Sequence, residues 1–349
     1  MSDERRRMAG GLDYRHGRIE LWHGSGGRAM AQLIEELFET SFDNPFLARR
    51  NDQACFEVSA GRLVMTTDGF VIAPLFFPGG DIGCLAVHGT INDIAMAGAR
   101  PLYLAVAMII EEGFPLADLK AIVASMAAAA KAAGVAIVTG DTKVVERGKG
   151  DGIFITTTGV GVVPAGVEIS AERARPGDAV LLSGSIGDHG VAVLSKRESL
   201  AFETELLSDC ASLHDLVARM VEAVPGIHAM RDPTRGGLAA LLNEIAQQSG
   251  VGIALNEDAI PVAPAVRGAC ELLGLDPLYV ANEGKLVAFC AAEDADRLLA
   301  VMRAHPLGCD AARIGTVVED SRHFVQMQTS FGGHRIVDWL AGDQLPRIC

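Results

Sequence analysis

The sequence has no CxxC pair, few aromatic residues (5%), and no apolar run long enough to cross a bilayer. Seven cysteines (Cys55, Cys84, Cys210, Cys270, Cys290, Cys309 and Cys349) lie scattered along the chain. An odd, dispersed set argues against a disulfide framework or a zinc site and for reduced thiols in a cytoplasmic protein. The Ala-rich stretch from Ala121 to Ala130 is bracketed by Lys120 and Lys131 and is too short for a membrane span. Arg5, Arg6 and Arg7 are followed by no long apolar segment, so the start does not read as a signal peptide. Positive charge is also in short supply. With 30 Lys and Arg against 44 Asp and Glu, the net charge of −14 excludes a uniformly basic nucleic-acid binder.

What is present is apolar residue and glycine. At 349 residues and 49% hydrophobic composition the chain can bury a sizeable core, and its length fits about two domains. The 39 glycines imply many turns or close backbone approaches to a ligand. Residues 1–20 read as a mobile lead-in. Strands are expected at 63–67, 135–138, 153–163, 179–182 and 285–292, and helices at 115–133, 238–247 and 294–304. Charges and two prolines between Pro164 and Gly177 place a domain boundary there. The expected units are 21–165, 174–336 and a flexible tail, 337–349. Short strands alternating with helices imply mixed α/β sheets in both halves.

Acids and glycine loops carry the candidate chemistry. Asp68 and Asp141 follow apolar β-type runs, which would put each at the carboxyl edge of a strand. Asn92 and Asp93 lie in Gly89-Thr90-Ile91-Asn92-Asp93. Converging carboxylates suit Mg²⁺, which prefers oxygen ligands and phosphate company, although each acid alone reads as readily as a helix or turn cap. His23-Gly24-Ser25-Gly26-Gly27 precedes an apolar helix candidate at 29–38, Ser183-Gly184-Ser185-Ile186-Gly187-Asp188-His189-Gly190 follows a strand, and Asp232-Pro233-Thr234-Arg235-Gly236-Gly237 runs into a helix candidate; together they favour a phosphate-bearing ligand. None is a Walker A loop or a Rossmann fingerprint. Lys143 is placed to touch a phosphate or to lie solvated. His189 reads as a base or as an ordinary hydrogen-bonding residue. Cys349 ends the chain, where a free thiol is about 3% ionised at pH 7 and needs a site to activate it.

Six segments, taken in order, carry a resemblance. They are His23-Gly24-Ser25-Gly26-Gly27, Gly89-Thr90-Ile91-Asn92-Asp93, Gly140-Asp141-Thr142-Lys143, Gly187-Asp188-His189-Gly190, Asp232-Pro233-Thr234-Arg235-Gly236-Gly237 and Ala281-Asn282-Glu283-Gly284-Lys285. With the terminal Pro346-Arg347-Ile348-Cys349 they resemble the HypE family, the carbamoyl dehydratases of nickel–iron hydrogenase maturation. The glycine and aspartate motifs belong more widely to the aminoimidazole ribonucleotide synthetase-like ATP-binding superfamily. The match runs from about His23 to Cys349, and Gly69 stands where the family has serine.

The resemblance implies a two-domain mixed α/β fold: an N-terminal dimerising sheet domain and a C-terminal α/β sandwich, with ATP near the interface of a homodimer. It implies that a HypF-type carbamoyltransferase loads Cys349, that ATP-driven dehydration there gives a thiocyanate, and that the cyanide passes to iron on a HypC–HypD scaffold. Neither nucleic acid nor membrane is implied. Cys349, Glu283 and Lys143 would be catalytic. Gly24, Ser25, Gly26, Gly27, Asp68, Asn92, Asp93, Gly140, Asp141 and Thr142 would bind ATP, and Asp68, Asp93, Asp141 and Asp232 would hold Mg²⁺. A superfamily kinase or ligase, or a thiol carrier that binds ATP without turning it over, are the competing readings. Selenophosphate synthetases carry cysteine or selenocysteine in the first glycine loop, where this chain has Ser25.

Overall fold

Residues 11–24, 28–47, 61–199, 206–339 and 347–348 are described by a computed structural model. The first half opens with α1 (Arg28–Leu33), which continues through a π-helical segment to Glu39. It is followed by β1 (Arg62–Phe70), α2 (Ile82–Met96), β2 (Arg100–Glu111), α3 (Leu116–Ala133), β3 (Ala136–Val145) and β4 (Ile153–Val163). The four strands form one sheet in the order β1-β4-β2-β3, antiparallel except for the β2–β3 pair. A parallel pair needs a long crossover, and α3 supplies it. Gly134 ends α3 in the left-handed conformation (φ 66°), where a side chain would be strained.

Helices α2 and α3 cover one face of this sheet. A Cβ on Gly159 or Gly161 would fall 2.5 Å from the Ile94 side chain, so these two glycines let α2 lie close on β4. The other face is open, and it exposes Leu63, Met65 and Ile109.

The second half comprises β5 (Ala179–Leu182), α4 (Asp188–Arg197), α5 (His214–Ala223), β6 (Ala229–Arg231), α6 (Gly237–Ser249), β7 (Gly252–Asn256), α7 (Pro264–Leu273), β8 (Val287–Cys290), α8 (Ala295–Arg303), β9 (Ala312–Val318), β10 (Val325–Gln328) and β11 (His334–Ile336). Its seven strands run in the order β11-β10-β7-β9-β5-β8-β6. Every residue of β5 and β8 is buried, as expected of strands covered on both faces. Leu181 and Ala288 pack with α5 and α8, while Val180, Val287 and Phe289 pack with α6. Ile94, Ala95 and Met96 of α2 share the α5–α8 core, so α2 is wedged between the two halves.

One expectation is corrected. Asp68 and Asp141 do not lie past strand ends: β1 and β3 run on through them, because ladder partners continue at Thr157 and Ala107. Of the lead-in, residues 1–10 lie outside the described residues, but 11–20 are pinned. Ile19 is fully buried, its N–H donates to the Phe114 carbonyl, and its own carbonyl accepts the Gly113 N–H. The tail is held at both described ends, with Val337 fully buried and Ile348 2% exposed. Residues 340–346 and Cys349 lie outside the described residues.

Candidate active site

Carboxylates from both halves converge where α2 meets the second sheet. A cavity of about 40 Å³ is lined by Asp68, Asp93, Asp232 and Glu283, with Gly69, Gly89, Thr234 and Arg235 completing its wall. Asp68 comes from β1, Asp93 from α2, Asp232 from the turn after β6, and Glu283 from the turn before β8. Thr66 donates its hydroxyl to Asp93 at 2.8 Å, and the Gly69 N–H donates to Asp68 at 2.8 Å.

Burial and the charges of neighbouring acids raise the pKa values of Asp93, Asp232 and Glu283. Burial raises Asp93, with the Asp68 charge adding to it. Burial first, then Asp93, push Asp232 up to about 7. Glu283 is 3% exposed and its Oε1 has no hydrogen-bond partner. Burial, then the charges of Asp232 and Asp209, lift its carboxyl well above the usual range. Such a cluster calls for positive charge or protons.

Among the described residues no three His, Cys, Asp or Glu side chains are close enough to hold an ion by themselves. The lining carboxylates of Asp68, Asp93 and Asp232 offer hard oxygen donors, a set that fits Mg²⁺, which keeps water and takes one or two carboxylates plus phosphate oxygens.

The turn carrying Glu283 is held by its own motif neighbours and by Asp209, which no motif revealed. Asp209 accepts the N–H groups of Glu283 and Gly284 at 3.0 and 3.2 Å and pairs with Lys285 at 3.0 Å. Asn282 accepts the Gly187 N–H at 2.7 Å and donates to the Pro233 carbonyl. These bonds fix Glu283 against the start of α4 and the Asp232 turn. Asp209 sits in an irregular segment with no pattern around it, so nothing in the sequence marks it.

Other expected site residues fall elsewhere. Asn92 is 1% exposed, and three of the four hydrogen bonds its amide can make are used. It donates to the carbonyls of Ala211 and Glu283 and accepts the Leu213 N–H. Asn92 therefore ties α2 to the second half.

Asp141 and Lys143 form an exposed pair, 2.9 Å apart. Asp141 aligns with Ala107, Thr156 and Gly69 across the sheet, on its open face. Asp68 faces the helices, three strand spacings away, or roughly 14 Å. One subunit thus brings Asp68, Asp93, Asp232 and Glu283 together, but neither Asp141 nor Lys143. Gly140, Asp141 and Thr142 instead line an apolar cavity of about 130 Å³ with Met30, Phe38 and Val106, between α1 and β3. Gly24 ends a 3₁₀ turn just before α1, while Ser25, Gly26 and Gly27 lie outside the described residues.

Comparison with known proteins gives the family. Residues 50–163 match the N-terminal domain of AIR synthase related proteins, and 175–328 match the C-terminal domain. The carbamoyl dehydratase HypE of Cupriavidus necator is 71% identical over 339 residues, covering 97% of each chain. A crystal structure of the hydrogenase maturation protein HypE in complex with ATP superposes with a TM-score of 0.92 at 52% identity, covering 95% of this chain and 99% of that one. The structure of a HypE–HypF complex matches with a TM-score of 0.78 at 51% identity, covering 88% and 99%. The chain belongs to the HypE carbamoyl dehydratase family of AIR synthase-related proteins.

Proposed function

We propose that the chain dehydrates an S-carbamoyl group on its own C-terminal cysteine, Cys349, to an S-cyano group, consuming one ATP. The observation that carries the reading is Glu283, a buried carboxyl with an orphaned oxygen at the edge of an acidic cavity suited to Mg²⁺ and phosphate. An amide oxygen is a poor leaving group. Its attack on the γ-phosphorus of ATP releases ADP and makes phosphate the group that departs. The C–O bond then breaks, both nitrogen protons leave, and a C≡N bond remains.

A base must stand near the nitrogen. Glu283, with its raised proton affinity, takes that role. Asp68, Asp93 and Asp232 would hold Mg²⁺, which supplies charge neutralisation to the triphosphate.

Asp141 and Lys143 act from a second copy. Their place on the open face, with exposed Ile109 beside Lys143 and exposed Leu63 and Met65 on the far edge strand β1, supports a homodimer in which two such faces meet. The apolar cavity beside Gly140–Thr142, between α1 and the edge strand β3, suits the purine ring of ATP. A HypF-type carbamoyltransferase supplies the carbamoyl group, as the HypE–HypF structure supports. An iron scaffold of the HypC–HypD kind receives the cyanide.

Cys349→Ala is expected to bind ATP yet accept no carbamoyl group. Glu283→Gln is expected to load normally and lose water at least 100-fold more slowly. Peptide mass spectrometry reads both. Carbamoyl on another residue, or normal water loss in Glu283→Gln, contradicts the assignment.

A further inference from the structure

The end of the chain is seated by groups that the reaction scheme does not use. Helix α4 sets His189, Val193 and Arg197 four residues apart, on one face. The His189 ring is fully buried and meets Phe77 edge-on, with centroids 5.4 Å apart. Its Nε2 lies 2.8 Å from the Ile348 carbonyl oxygen, and its Nδ1 lies 2.8 Å from Ser208 Oγ.

A carbonyl only accepts, so Nε2 carries the proton and Nδ1 accepts from the Ser208 hydroxyl. That oxygen in turn accepts the Cys210 N–H at 3.1 Å. One neutral tautomer satisfies every bond in the chain.

Arg197 donates to the Arg347 carbonyl at 2.7 Å and to the Ala73 carbonyl at 2.8 Å. The Ala73 N–H donates to the Arg347 carbonyl at 3.2 Å. The Ile348 side chain lies in the buried cluster that holds Phe77, Val193 and Ala281. Arg347 pairs with Asp151 and is held at φ 58°, a left-handed conformation rare outside glycine. Backbone, side chain and charge of the Arg-Ile pair are thus all recognised, from both halves of the molecule.

The seat also touches the support of Glu283. Ser208, which fixes the His189 ring, adjoins Asp209, which fixes the Glu283 turn. We propose that His189 is a positioning residue for the dehydration: with Arg197 it clamps the Arg347–Ile348 backbone in one register relative to the Glu283 turn. The inference rests on the proposed function, because only a reaction on the chain's own end requires that register.

The test uses the full chain and two readouts. Hydrogen exchange at the Ala73 amide, which donates to Arg347, reports whether the tail is seated. Mass spectrometry of carbamoyl-loaded protein reports ATP-dependent water loss. In His189→Leu and Ile348→Asp, Ala73 exchange is expected to quicken about tenfold, the scale of one lost buried hydrogen bond. Loading is expected to stay unchanged while water loss slows by at least the same factor. His189→Gln, whose amide N–H still donates, is expected to recover part of both.

Faster Ala73 exchange with unaltered water loss would make the seat merely structural and overturn the proposal. So would unaltered exchange in Ile348→Asp, a variant that leaves α4 intact should His189→Leu fail to fold. Wild-type protein that loads but never loses water would instead contradict the proposed function, and the positioning role with it. The Ala73 exchange would still show whether the tail is seated.

Discussion

Asp232 shows how a single side chain reports on its site. Its carboxyl titrates near 7 in the folded protein, far above an unfolded aspartate, because burial and Asp93 oppose its charge. The folded state therefore holds a proton that the unfolded state lacks between about pH 4 and 7, and stability falls as pH rises through that window. Asp232→Asn removes the cost. In Mg²⁺-free protein the variant is expected to match wild type near pH 4 and to exceed it by up to about 4 kcal/mol at pH 8. Urea unfolding at the two pH values reads the difference. A gain independent of pH would mean that the carboxyl is not strained by its neighbours.

Asp68, Asp93 and Asp232 stood out at this scale in short motifs with glycine and threonine, whereas Glu283 reads as an ordinary turn acid and only the family resemblance singled it out. Asn92 stood out as a special residue, but its structural bonds did not. Its three bonds reach to 211, 213 and 283, and such long-range partners leave no local trace. Asp209 was invisible for the same reason.

Among the elements, strands and helices with a clear pattern were readable, as were the short, fully buried strands β5 and β8, but not the buried helix α2. The expected helix from Pro115 is α3, with Pro115 as its N-cap and Gly134 as its stop. Helix α2 went unread because apolar residues surround it on every side, so it shows no 3.6-residue stripe. Strands β1 and β3 were read too short, since Asp68, Gly140 and Asp141 look like turn residues. Their ladders extend because the neighbouring strands do.

The Glu283 turn gives a prediction at this scale. A Cβ on Gly284 would stand 1.8 Å from the Asp209 carbonyl oxygen, so the segment around Asp209 must shift to admit it. Gly284→Ala is expected to destabilise the protein by about 1–3 kcal/mol and to slow water loss, with loading unaffected. Unfolding curves and single-turnover kinetics check it. A neutral substitution would show that the Asp209 contact does not fix the turn.

For the whole molecule, the open face of the first sheet matters most. It carries the Asp141–Lys143 pair, and the acids it should serve lie on the other side of the same sheet. If two copies share their sites, a mixture of Lys143→Ala and Glu283→Gln is expected to regain part of the activity, because a mixed dimer holds one site with both residues intact. No recovery would return Lys143 to its own subunit. Met65→Glu, at a position 71% exposed on that face, is expected to give a monomer by analytical ultracentrifugation, with activity lost.

The account's central claim is chemical, and intact-protein mass spectrometry addresses it most directly. The chain is loaded by its carbamoyltransferase and weighed before and after Mg²⁺ and ATP are added. Carbamoyl mass on the peptide ending in Cys349, followed by ATP-dependent loss of one water, is the expected result. Loading without any loss of water would contradict the account and leave a thiol carrier in its place.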